Sequence, residues 1–112
     1  LSNTRVLTEL ADVLLEMEAE LRRLDMWSSQ PPSPEALASQ QPFCIDTLEF
    51  HEWLQFILIS RMKVIIEADA PLPQASGILP MAEERYKQEL EQVDALLDVI
   101  RRFDDLIMEY HG

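Results

Sequence analysis

The chain has one cysteine, Cys44, two glycines, two histidines and nine basic residues among 112. A single thiol cannot close an intrachain disulfide, and a core of this size does not require one. No basic opening followed by an apolar run marks a secretory signal, so a reducing cytoplasm is the expected compartment. Two glycines cannot build a phosphate-cradling loop, and no serine stands in a nucleophile elbow. The most apolar run, Trp53 to Ile59, is too short to cross a bilayer. Nine cations displace few counterions from a polyanion and hold an anionic membrane weakly, so neither direct nucleic-acid binding nor membrane attachment is expected. His51-Glu52-Trp53-Leu54-Gln55 opens like a zinc-protease signature, but Gln55 stands where the second histidine is required. Neither His51 nor His111 follows a glutamate at the spacing of a di-metal bundle. No catalytic, cofactor-binding or metal residues are expected, and the chain is expected not to be an enzyme.

What the chain does have is acid and apolar surface. It carries 21 acidic residues, a net charge of -12, and 47% hydrophobic residues. A mean hydropathy of -0.09 is that of a packed domain rather than a disordered segment. One domain over residues 1–112 is expected. The fold class is all-α: a small bundle of three long helices with one short helix and extended connections.

Leu7, Leu10, Leu14, Met17, Leu21 and Leu24 recur at steps of three and four and predict a helix from Thr4 to Asp25, with Val6 and Val13 widening its stripe. Pro31 and Pro32 stiffen the connection that follows. Ser33-Pro34-Glu35 then reads as a cap, a first-turn proline and a first-turn acid, opening a short helix to Ala38. Pro42 disfavours helical angles at Gln41, so Gln40 to Ile45 is expected to be extended. Asp46-Thr47-Leu48-Glu49 has the form of a capping box for a helix from Thr47 to Glu67. That helix is apolar over most of its circumference, which suits a central element wrapped on several sides. Ala68 to Leu79 holds Pro71, Pro73 and Gly77 and reads as an irregular connection. The last helix is expected from Pro80 to Glu109, on an apolar stripe of Tyr86, Leu90, Val93, Leu97, Ile100, Phe103, Ile107 and Tyr110, with a bend or break near Glu83.

Few of these residues carry a chemical signal. Cys44 reads as a small buried hydrophobe, because Asp46 competes for the amides that would stabilise a thiolate. Glu9, Asp12 and Glu16 share one helix face, and Glu91, Asp94 and Asp98 another; such rows ordinarily coat a helix with water. Arg61 is the notable cation. It can neutralise Asp46 or Glu49, or it can meet a small anion or a partner.

Gln41 to Glu49, Glu52 to Phe56, Ile59 to Met62 and the Pro71-Leu72-Pro73 connection together resemble the YqcC-like family of small bacterial proteins. The resemblance spans nearly the whole chain and is specific in that middle stretch. It implies a small all-helical domain and no particular activity, the family being of unknown function. The leading expectation is a helical protein that acts through protein contacts, either as a homodimer or on another protein. Trp27, Pro42, Phe43, Trp53, Gln55 and Arg61 are the candidate contact residues. The alternative is a small-molecule binding module with a pocket near Pro42, Phe43 and Arg61, using Arg61 or Gln55 as its polar group.

Overall fold

A computed structural model describes residues 2–74 and 76–111, with the side chains of Ser2 and Asn3 left aside. Among them the regular elements are all helical: α1 (Ser2–Arg23), α2 (Pro34–Leu37), α3 (Phe50–Trp53), α4 (Ser60–Glu67), α5 (Ile78–Arg85) and α6 (Asp94–His111). A π-helical stretch, Leu54–Ile59, joins α3 to α4 without a gap. None of these helices is long and apolar enough to cross a membrane.

Helix α1 buries Val6, Leu10, Val13, Met17 and Leu21, each at most 3% exposed, while Leu7 and Leu24 lie half-buried at the stripe's edge. Its partner is α6, which contributes Leu96, Ile100, Phe103 and Ile107. Asp25 ends α1 in a left-handed conformation (φ 60°), letting the Met26 N–H reach back to the Leu21 carbonyl at 2.8 Å. Helix α4 ends the same way: Asp69 has φ 53°, and the Ala70 N–H donates to the Ile65 carbonyl at 3.0 Å. Aspartate tolerates this region better than most residues, so each helix stops without a glycine. Ser33 caps α2 as expected, its hydroxyl accepting from the Ala36 N–H at 3.1 Å.

Four expectations need correction. Gln41 is extended, but Pro42–Cys44 form a 3-10 turn with Phe43 at φ 59° and Cys44 at φ 50°. Proline restrains the residue before it and not those after it. Phe43 is held in its unusual conformation by packing on Trp53 and Phe50, at 4.8 and 6.1 Å between ring centroids. The capping box lies one turn later than expected. The Asp46 carboxylate accepts from the Ser39 hydroxyl at 2.5 Å, and the Thr47 hydroxyl donates to the Ala36 carbonyl at 2.7 Å, so both serve the turn instead. Glu49 is the N-cap residue, and its N–H donates to the Glu52 carboxylate at 2.8 Å.

The third correction concerns the central helix, which is not wrapped along its whole length. Leu54, Gln55, Ile57, Leu58, Ile59 and Met62 are buried, but Val64 is 65% exposed. The fourth concerns the last helix, which breaks between Tyr86 and Val93 rather than near Glu83. A straight helix of 30 residues would be about 45 Å long, against a longest molecular dimension of 39 Å. Tyr86 and Val93, at the two ends of the break, are both 1% exposed. Leu90, counted in the expected stripe, is left 45% exposed in the turn.

Helix α5 begins without a capping side chain of its own. Asp104, on α6, supplies one: Oδ1 accepts from the Gly77 and Ile78 N–H groups at 3.3 and 3.2 Å, and Oδ2 from the Leu79 N–H at 2.8 Å. The Ser76 hydroxyl donates to the same carboxylate. A negative charge at this end of a helix is also favoured by the peptide dipoles. Gly77 turns the chain into α5 at φ 142°, a conformation that side chains rarely adopt.

Candidate functional site

The site grows from the central rod. Trp53, Ile57, Arg61 and Ile65 follow one another at intervals of four residues. On a regular α-helix such a series drifts about 40° per step. The wider π turn at Leu54–Ile59 takes part of that drift back, so the four stay on one side. Gln55, on the far side, is buried and fixes the rod to the chain that leaves α1. Its amide accepts from the Ser28 N–H at 2.8 Å and donates to the Ser28 carbonyl at 2.9 Å.

These four side chains form one wall of a cavity of about 370 Å³. Phe43, Phe103 and Ile107 of α6, and a rim of Pro73, Ser76, Gly77 and Ile78 complete its lining. The Asp104 cap holds that rim in place, and the His111 imidazole meets the Pro73 carbonyl at 2.5 Å. The lining is overwhelmingly apolar, with Arg61 its one charged residue among the described residues.

Among the predicted site residues, the fold brings Phe43, Trp53 and Arg61 together. It does not bring the others there. Trp27 is half-buried under the Arg22 guanidinium, 4.8 Å from its ring centroid. Pro42 is exposed at the start of its turn, and both ends of the Gln55 amide are occupied by Ser28. Arg61 does not neutralise Asp46 or Glu49: Asp46 holds the Ser39 hydroxyl, and Glu49 pairs with Arg85 at 3.0 Å. That pairing raises the Arg85 pKa above its ordinary value, the hydrogen bond being the largest cause. The α6 residues Phe103 and Ile107 were absent from the prediction. The sequence marked them as an apolar stripe, with no signal separating core from cavity wall.

Tyr86 lies outside this cavity, its ring edge-on to Phe50 at 5.9 Å. Its hydroxyl has the Met26 sulfur as a distant partner at 3.9 Å. Burial therefore penalises the phenolate and pushes its pKa up to about 12.

Comparison with known proteins gives this arrangement relatives. A family model described as tRNA pseudouridine synthase C matches residues 9–106. An uncharacterised protein of Haemophilus influenzae is 38% identical over 82 residues, 71% of this chain and 77% of that one. The uncharacterised protein YqcC of Escherichia coli is 34% identical over 96 residues, 86% of this chain and 88% of that one. The solution NMR structure of E. coli YqcC superimposes with a TM-score of 0.80 at 32% identity, covering 91% of this chain and 87% of that one. A tRNA pseudouridine synthase C of Pectobacterium carotovorum is 32% identical over 74 residues, which is 66% of this chain but 20% of that protein. The expectation that the chain is not an enzyme is overturned by the family model and by this last match, which give it enzymatic homology. Motif spacing pointed the other way because this sequence holds no short catalytic signature. The chain belongs to the YqcC family of small bacterial proteins, whose family model is described as tRNA pseudouridine synthase C.

Proposed function

We propose that the chain works in tRNA pseudouridylation, as a helical unit that associates with a tRNA pseudouridine synthase. One observation carries the reading: a 74-residue stretch related to this chain lies within a tRNA pseudouridine synthase C and makes up 20% of it. Two units that share one chain in a relative sit at high effective concentration, and separate chains replace that tether by an interface. The charge is suited to it. An enzyme that holds tRNA needs a basic surface, and a chain of net charge -12 complements such a surface. A cytoplasmic location goes with this reading.

The test is co-expression with the synthase of the same organism, followed by light scattering and pseudouridine mapping of tRNA. The chain alone, the synthase alone and both together are compared. A stable complex, with pseudouridine formation that depends on this chain, supports the reading. No complex, and unchanged pseudouridine when the chain is deleted, overturns it. Light scattering of the chain alone at high concentration separates a homodimer from a monomer.

A second reading, a ligand-binding module, is favoured by the apolar cavity that reaches Arg61.

A further inference from the structure

Arg61 differs from every other cation of the described chain. Arg5, Arg22, Arg23, Lys63, Arg85, Lys87, Arg101 and Arg102 each lie within ion-pair distance of a carboxylate. Among the described residues, Arg61 has no such partner in a chain with 21 acids. The local sequence explains why. One turn away on either side stand Ile57, Leu58, Val64 and Ile65, so no helical carboxylate can reach it. The side chain is exposed and lines the apolar cavity.

We propose that this cavity binds a small amphipathic monocarboxylate. Its aliphatic or aromatic body would sit against Phe43, Trp53, Ile57 and Ile65, and its carboxylate on the Arg61 guanidinium. The walls set the first half of that class. The contacts are apolar side chains, and Phe43 and Trp53 already meet edge to face, a geometry that accepts a further ring or a chain.

The rim sets the second half. The helix N-terminus of α5 borders the cavity, but its Gly77, Ile78 and Leu79 N–H groups are taken by Asp104. Arg61 is therefore the charged group available to an anion there, and among the described residues the cavity lining contains no acidic one. A planar guanidinium matches one carboxylate through two parallel hydrogen bonds. A phosphate dianion asks for more positive charge than one exposed guanidinium supplies. The inference deepens the ligand-binding reading and is independent of the synthase association, because binding is measured on the chain alone.

The probes are 3-phenylpropanoate and octanoate, with 3-phenylpropanol as the uncharged match. Binding is followed by tryptophan fluorescence in a Trp27→Phe background, which leaves Trp53 as the reporter. Methyl NMR shifts at Ile57, Ile65 and Ile107 place the ligand. The expected result is saturable binding of a carboxylate probe with shifts confined to the cavity. Arg61→Gln should weaken that binding about tenfold or more, and leave the affinity for 3-phenylpropanol unchanged. Arg61 is exposed, so the variant keeps the fold, and circular dichroism verifies it. Ile65→Trp, which fills the cavity without touching the charge, should abolish binding of all three probes. The proposal is overturned by no saturable binding of either carboxylate up to about 10 mM. It is equally overturned by equal affinity in Arg61→Gln, or by shifts outside the cavity. Loss of synthase association with intact probe binding would reject the synthase reading and leave this one standing.

Discussion

Removing the Asp104 carboxylate tests whether one helix caps another. In the native fold this group accepts three backbone N–H groups and the Ser76 hydroxyl, with the backbone distances between 2.8 and 3.3 Å. Losing a side-chain cap costs about 0.5–2 kcal/mol. Hydrogen bonds to a charged group are worth about 1.5–3 kcal/mol where water cannot replace them. Here Ile78 is buried but Ser76 and Leu79 are half-buried and Gly77 is exposed, so water recovers part of the loss. Asp104→Ala should therefore destabilise by about 2–3 kcal/mol. At this chain length that is a fall of about 8–13 °C in Tm. Asp104→Asn keeps one acceptor oxygen and should lose about 1 kcal/mol. Urea unfolding followed by circular dichroism at neutral pH gives both numbers, and Asp105→Ala, at an exposed neighbouring position, is the control. An alanine variant within about 0.5 kcal/mol of the native protein, or an equal loss in the control, would refute the reasoning. Because Ser76, Gly77 and Ile78 form the cavity rim, the alanine variant should also weaken probe binding.

Three further outcomes follow from other contacts. The raised Tyr86 pKa means that its stabilising contribution is complete below pH 10 and is lost as the pH rises toward about 12. The whole loss is about 3 kcal/mol; Tyr86→Phe should remove this slope from urea titrations between neutral and alkaline pH, and an unchanged slope would assign it elsewhere. Hydrogen bonding to Arg102 lowers the Glu16 pKa below its ordinary 4.5, across the α1–α6 contact at 2.7 and 3.1 Å. Its contribution is present above that ordinary value and is lost as pH falls through the lowered pKa, so the gap between native and Glu16→Gln should close in acid. The pair is exposed, and the gap at neutral pH should be under about 1 kcal/mol. Gln55→Leu keeps the volume but strands both polar groups of Ser28, so it should cost about 1–3 kcal/mol and speed hydrogen exchange at the Ser28 amide. Unchanged exchange there would show that the Gln55 pairing does not hold the chain that leaves α1.

The sequence by itself determined that the chain is helical and which face α1 buries. Leu10, Met17 and Leu21 are spaced by a local rule, the number of residues per helical turn, and the predicted stripe of α1 is buried in the fold. The same rule marked Ile100, Phe103 and Ile107 on α6 and the cap at Ser33. Arg61 and the Phe43–Trp53 pair stood out as chemistry, and the fold gathers them at one cavity. What tertiary structure decided lies wherever a residue's partner is distant in sequence. Asp104 caps a helix that starts 26 residues earlier, a link no local pattern encodes. Glu49 replaced Asp46 as the cap because Ser39 and Ala36 drew Asp46 and Thr47 into another turn. The break after Tyr86 is a matter of size: one straight helix from Pro80 to Glu109 would outrun the 39 Å length of the molecule, which no local pattern encodes. The cavity is the clearest case. Periodicity states that a side chain faces inward, but only the meeting of the π-helical rod, the Pro73 to Ile78 rim and α6 decides whether it finds another side chain or an open space beside Arg61.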